Sequence, residues 1–353
     1  MGILNHTPDR KYKVLASLVG CACGDALGLH REGLSAWRAN RIFPDPDRYS
    51  FIGRWGTTSD DYDHACMAME AIAASGGDAS FFARELANRT RLWAACIPGG
   101  IGLATLRSSL KLWLGYGPDR SGVFSAGNGP AMRSHILGVA IDDLDQLAAF
   151  VRASTRISHT DPKALTGAMI IALASRHSST AEIVNSEAFL AEINEQTHRL
   201  QLDPDFIPVI ADVVKSVSRR ESTREFSTRF GKFGVSGYIY HTVPVVIHAW
   251  LCFPNAFADA VKAAISCGGD TDTMASIVGG IVGARVGIEG IPDAWIADLI
   301  LWPRTLNYLE ALTDGLESKS HHQRINAFHY LLRNAWFNPV VLTHGFRRLL
   351  PPY

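Results

Sequence analysis

The feature that most constrains this chain is a helix with one face almost stripped of side chains. Helical spacing runs from Thr273 to Val286, and Ala275, Gly279, Gly283 and Gly287 recur every four residues. Each Gly inside a helix costs about 1 kcal/mol relative to Ala. The cost makes sense if another helix packs on the bare face at backbone distance, so this helix is expected to lie buried at the centre. It is too short to span a bilayer as a glycine-faced dimer.

The rest of the chain also reads as helical. Apolar residues fall at helical spacing over 13–29, 60–74, 80–95, 144–153, 162–176, 181–200, 206–217, 242–251 and 256–265, with more helices to about residue 335. Ser80 is a candidate N-cap, and Asp161-Pro162 is a strong helix start. Strand alternation is almost absent. Residues 224–240, rich in Gly and aromatics, read as a loop or short hairpin. Residues 97–138 hold nine glycines and read as a long irregular segment, a kind that is usually functional inside a compact domain. There is no repeat and no low-complexity linker. The expectation is an all-α fold in one domain over residues 1–353, with a motif-bearing core at about 11–300 and a helical tail at about 301–353.

Composition excludes several classes. Of 353 residues, 47% are hydrophobic and only 19% charged, so the chain can build a large core and is not disordered. Lys+Arg and Asp+Glu both number 34, so there is no electrostatic case for nonspecific nucleic-acid binding or for an anionic membrane. The N-terminus lacks a signal-peptide apolar region, His6 breaks the myristoylation pattern, and no uninterrupted run of eighteen apolar residues occurs. A cytoplasmic monomer is expected. The six cysteines form no C-x-x-C pair and read as small buried hydrophobes.

The chemistry concentrates in two acidic helix starts. In Cys267-Gly268-Gly269-Asp270-Thr271-Asp272-Thr273 a cap needs one oxygen, yet four oxygen-bearing side chains follow the glycines. Clustered hard oxygens suit Mg²⁺, Mn²⁺ or Ca²⁺. Thr57-Thr58-Ser59-Asp60-Asp61 is the second cluster, whose adjacent carboxylates repel unless a cation or helix dipole offsets them. Either segment alone is equally a capping box; together they could hold one or two divalent ions. Asp25, in Gly24-Asp25-Ala26-Leu27-Gly28, reads as a buried structural carboxylate bonded to backbone amides. Glu32 falls in a loop, free to act at a site edge. Gly127-Asn128-Gly129 and Pro98-Gly99-Gly100-Ile101-Gly102 offer bare amides to phosphate oxygens. His159, just before the Pro162 helix, reads on its own as a structural cap.

In this order, GDALG, the SDD helix start, SAGNGPAMR, SH before a helix and GGDTDT resemble the ADP-ribosylglycohydrolase family, whose members include the enzyme that reactivates dinitrogenase reductase. The likeness runs from Gly24 to Gly287. It implies that family's all-α fold and a centre of two Mg²⁺, with Mn²⁺ as the alternative. By position, the implied metal ligands are Ser59, Asp60 and Asp61 from the first cluster and Asp270, Asp272 and Thr273 from the second. Asp61 or Asp272 would orient or deprotonate the water, and Glu32 matches an acidic residue that closes over the site in some members. Gly100 and Gly102 match a loop near the pyrophosphate; Ser125, Gly127, Asn128 and His159 match contacts to ADP-ribose. Members usually carry Thr at the positions of Ser59 and Tyr62; the first keeps its hydroxyl, and the second is expected to alter the pocket. The implied activity is release of ADP-ribose from a modified protein. The alternatives are hydrolysis of a small ADP-ribosyl metabolite and a catalytically silent, crystallin-like structural role.

Overall fold

The computed structural model describes residues 10–318 and 325–351. Seventeen α-helices account for most of them. In chain order these are α1 (Arg10–Leu29), α2 (Ala36–Ile42), α3 (Asp60–Ser75), α4 (Ala79–Ala95), α5 (Leu103–Trp113), α6 (Ser134–Ala140), α7 (Leu144–Arg156), α8 (Pro162–Thr180) and α9 (Ser186–Arg199). They continue with α10 (Phe206–Ser218), α11 (Thr223–Ser227), α12 (Ile239–Cys252), α13 (Phe257–Ile265), α14 (Thr271–Val286), α15 (Asp293–Ala297), α16 (Leu306–Ser318) and α17 (Ala327–Arg347). The strands β1 (Leu34–Ser35), β2 (Gly56–Thr57), β3 (Gly268–Gly269) and β4 (Leu299–Ile300) pair β1 with β3 and β2 with β4. The all-α expectation holds.

The centre of the fold is α14, buried from Thr271 to Ala284. Its most extensive partner is α1, and α8, α12 and α13 pack around it. Contact with α1 is backbone on backbone. A Cβ placed on Gly24 would sit 2.0 Å from the Ala275 carbonyl oxygen, and one on Gly20 would sit 2.3 Å from that of Gly279. The stripe on α14 is thus met by Ala16, Gly20, Gly24 and Gly28 on α1, again every four residues. Gly287 does not share the face: it lies past the helix end at φ +75°, against Tyr12. By length and composition α1 is long and apolar enough to cross a membrane, but here most of it is buried against other helices.

Several boundaries move for local reasons. Asp78, not Ser80, caps α4, accepting from the Phe81 amide at 2.6 Å. Asn185 caps α9 and so delays its start. The glycine-rich stretch is not irregular throughout, since it contains α5 and the start of α6. Residues 224–240 form no hairpin; they run from α11 through a loop into α12. Five of the six cysteines are buried and all six are free.

The tail is tied to α3 by buried charges. Arg304 donates to Asp63 Oδ1 at 2.8 Å and to Glu70 Oε1 at 2.9 Å, and it also bonds the Tyr330 hydroxyl. Arg333 on α17 donates to the Thr58 carbonyl and lies 3.6 Å from Asp63.

Gly24→Ala should destabilise the protein by about 1–3 kcal/mol, because the new methyl meets backbone that cannot yield without parting α1 from α14. Gly345→Ala, in open space on α17, should be neutral or stabilising. Urea midpoints of the two variants measure the contrast; equal midpoints would disprove the close-packing account.

Candidate active site

Both acidic segments are helix N-termini, and α1 sets where they lie. Asp25 accepts from the Ser59 amide at 2.9 Å and from the Tyr62 amide at 3.1 Å, fixing the first turn of α3. Three residues on, Gly28 receives the Thr271 hydroxyl on its carbonyl at 2.9 Å, fixing the first turn of α14. The two starts then touch. Thr273 Oγ1 donates to Asp61 Oδ2 at 3.1 Å, and Ser59 Oγ lies 3.2 Å from the same oxygen.

Around this contact lies a cavity of about 330 Å³. Glu32, Asp60, Asp270, Asp272 and Thr273 line its acidic end. Gly100, Gly102, Ser125, Gly127, Asn128 and His159 line the remainder. Every one of these sequence-predicted residues therefore faces one space. Ser59 and Asp61 stand just behind it, joined through Thr273.

The wall is stitched from loops by single backbone pairings. Leu34 pairs with Gly269, Val235 with Gly269, Gly127 with Tyr238, and Val123 with His159. Gly234, at φ +125°, and Gly269, at φ +82°, lie so close that a Cβ on Gly234 would fall 2.3 Å from the Gly269 amide nitrogen. Gly129 and Met132 of the SAGNGPAMR motif also line the cavity, as do Gly237, Leu103 and Thr105, which sequence reading missed. A signal existed only for Gly237: the glycine-rich loop preceding α12 had no other purpose.

Three sequence readings change. Asn128 spends its amide on the protein, donating to Asp270 Oδ2 at 2.6 Å and to Thr242 Oγ1 at 3.0 Å. Its side chain thus holds a carboxylate in place at the cavity wall. Tyr62 points into the core and donates to the Arg304 carbonyl at 2.8 Å, so it does not shape the pocket. Asp25 is the structural carboxylate expected. His159 caps no helix; Asp161 does that for α8.

The electrostatics are severe. Burial comes first in pushing Asp60, Asp61 and Asp272 well above the usual carboxylate range. Repulsion adds to it: Asp25 and Glu32 act on Asp60, Asp60 and Asp25 on Asp61, and Glu32 and Asp270 on Asp272. Burial also raises Asp270 against the hydrogen bond from Asn128, and raises Glu32 against the Arg348 charge 3.8 Å away. Burial raises Asp25 to about 7, against its two amide bonds and the Arg333 charge. Among the described residues no three His, Cys, Asp or Glu side chains form a ready-made metal cage. Yet Asp61 Oδ1 and Asp272 Oδ1 are buried without any hydrogen-bond partner. Unpaired buried carboxylate oxygens are costly, and with the hydroxyls beside them they fit a hard divalent cation that keeps part of its water shell.

Comparison with known proteins identifies the family. Residues 6–325 match the ADP-ribosylglycohydrolase family model. The chain belongs to the ADP-ribosylglycohydrolase family. It is 25% identical to the ADP-ribosyl-[dinitrogen reductase] glycohydrolase of Rhodospirillum rubrum over 304 residues, 83% of this chain and 92% of that protein. It is 30% identical to ADP-ribosylhydrolase ARH3 of Mus musculus over 211 residues, 51% of this chain and 55% of the mouse protein. A solved structure titled ADP-ribosylglycohydrolase-related protein complex superposes with a TM-score of 0.66 at 25% identity, covering 88% of this chain and 99% of that one. This chain is accordingly a glycosidase that hydrolyses ADP-ribosyl bonds.

Asp25→Asn isolates one term of the site's pH dependence. The folded-state value for Asp25 lies above its unfolded value, so its contribution to stability is complete below about pH 4 and is lost as pH rises through about 7. In EDTA, the wild-type stability minus that of Asp25→Asn should therefore shrink between these limits. Urea titrations at each pH test this; a difference that grows with pH would refute it.

Proposed function

We propose that this enzyme releases ADP-ribose from a modified protein side chain, with Mg²⁺ held by Ser59, Asp60, Asp61, Asp270, Asp272 and Thr273 and Mn²⁺ as the alternative ion. The observation that carries the reading is the Thr273–Asp61 hydrogen bond, which joins the two acidic helix starts beside two unpaired buried carboxylate oxygens. All six positions bear oxygen, which speaks against a silent structural protein. When bound, the ions supply positive charge that neutralises the cluster and stabilises the ribose hydroxyls and the attacking water.

The residues divide the work by place. Asp272 Oδ1, free of protein donors, is the atom best set to orient the water and take its proton, and Asp61 Oδ1 is the second candidate. The glycosidic bond breaks with positive charge growing on the ribose, and the surrounding carboxylates stabilise that charge. Glu32 stands half-buried at the cavity rim, its side chain 44% accessible, where it can close on the substrate. The glycines at 100, 102, 127 and 129 leave gaps in the lining where phosphate oxygens could approach the backbone closely.

The rim favours a macromolecular acceptor. Leu103 lines the cavity and is 61% exposed, and Phe124, beside Ser125, is 81% exposed. Apolar side chains left in water at a site entrance are contact surface for a partner.

Asp272→Ala should abolish both Mg²⁺ binding by calorimetry and ADP-ribose release from Arg- and Ser-ADP-ribosylated proteins, with EDTA reproducing the loss in the wild type. Retained turnover in the variant would overturn the assignment. Because protons compete with the ion for carboxylates that burial has made more basic, Mg²⁺ should raise the melting temperature more at about pH 8 than at about pH 5. Scanning calorimetry measures both values, and a larger rise at low pH would contradict the ligand set.

A further inference from the structure

Arg133 is a buried cation without a buried anion. It is 1% exposed, and among the described residues it has no carboxylate partner. Its donors go elsewhere. Nε bonds Ser154 Oγ at 2.9 Å, and one terminal nitrogen bonds the Ser154 carbonyl at 2.9 Å and Ser158 Oγ at 2.8 Å. The other terminal nitrogen lies 3.2 Å from His64 Nδ1. A guanidinium so placed is expensive unless something beyond these neutral groups uses its charge.

The path of those bonds leads to the cavity. Arginine only donates, so Ser158 Oγ accepts from Arg133. The Ser158 hydroxyl proton then has one acceptor in reach, His159 Nδ1 at 2.9 Å. Accepting there, His159 must carry its proton on Nε2. That nitrogen has no hydrogen bond from the described protein and lies 3.1 Å from where a Cβ on Gly127 would stand, in the lining of the cavity. Glu32, Asp60, Asp270 and Asp272 line the same cavity. The cavity thus holds, besides its carboxylates, an N–H donor backed by a buried cation.

We propose that Arg133 and Ser158 are positioning residues that lock His159 as a neutral Nε2–H donor to an anionic oxygen of the ligand, a phosphate oxygen if the ligand is ADP-ribosyl. This rests on the proposed function for the identity of the ligand, and on geometry alone for the tautomer. Burial, aided by the Arg133 charge, also holds His159 down at about 3, so the ring stays neutral across the working range. Gly127 and Gly129 are then required: a methyl on either would sit 3.1 or 3.0 Å from the imidazole, in the space through which the donor reaches.

The test uses the full-length protein in excess Mg²⁺ with ADP-ribose as the probe. Long-range ¹H–¹⁵N spectra of histidine-labelled wild type should show His159 as the Nε2–H tautomer. Ser158→Ala, whose hydroxyl lies outside the cavity lining, should lose that single-tautomer signature and bind ADP-ribose about ten-fold more weakly. Ser158→Ala combined with His159→Ala should bind no more weakly than His159→Ala alone, since the serine acts through the histidine. An Nδ1–H tautomer in the wild type, unchanged affinity in Ser158→Ala, or additive losses in the double variant would overturn the inference. A wild type that shows the Nε2–H tautomer but binds no ADP-ribose would overturn the ADP-ribosyl reading and leave the positioning intact.

Discussion

Everything at the active site depends on the backbone contact between α1 and α14. Two helices can approach so closely only where both lack side chains, and here Gly20 and Gly24 meet Gly279 and Ala275 with no room for a further methyl. The contact extends to the ends of the helices, where the Thr271 hydroxyl sits on the Gly28 carbonyl. The same helix α1 offers Asp25 to the first turn of α3. One rigid rod therefore places both acidic helix starts. A looser α1–α14 interface would let the carboxylates drift apart and relieve their repulsion, at the expense of the geometry that binds a cation.

That repulsion is the opposing force in the structure. The buried carboxylates are held together by packing, by amide donors to Asp25, by hydroxyl and amide bonds to Asp61 and Asp270, and by the Arg333 and Arg348 charges at the edge of the cluster. The C-terminal helix α17, which follows the region matched by the family model, contributes from outside the cluster. Through Arg333 it grips the Thr58 carbonyl beside Ser59. Asn334 and Asn338 donate to the Cys96 and Ile97 carbonyls at 2.8 and 2.9 Å, bracing the loop that carries Gly100 and Gly102. Arg304 and Glu70 anchor the same side of α3 through a buried network in which each charge has a partner. The fold thus separates two kinds of buried charge. The Arg304 network is satisfied internally and rigidifies; Asp61 and Asp272 each keep a buried oxygen without a partner beside the cavity, and Arg133 is bonded only to neutral groups behind His159.

Much of this was legible along the chain. The four-residue spacing of Ala275, Gly279 and Gly283 announced a close helix partner, and the Asp-Thr and Ser-Asp-Asp helix starts announced oxygen ligands, because local geometry puts such groups at a helix mouth. The matching stripe of Gly20, Gly24 and Gly28 was equally written in the sequence but was hidden by the more conspicuous GDALG motif that contains two of the three. Helix ends were less legible. Whether Asp78 or Ser80 caps α4 depends on which oxygen reaches a free amide, and spacing cannot decide between two good caps.

Sequence alone determined the helical class, the existence of two acidic helix starts and the side chains available to them, since all three follow from residue type and short-range periodicity. Tertiary structure alone decided that the starts meet, that Asn128 holds Asp270, that Tyr62 turns into the core, and that Arg133 stands behind His159. Those are contacts between residues far apart in the chain. Their geometry is set by how helices pack and by which buried groups find partners, and neither is encoded in the spacing of one segment.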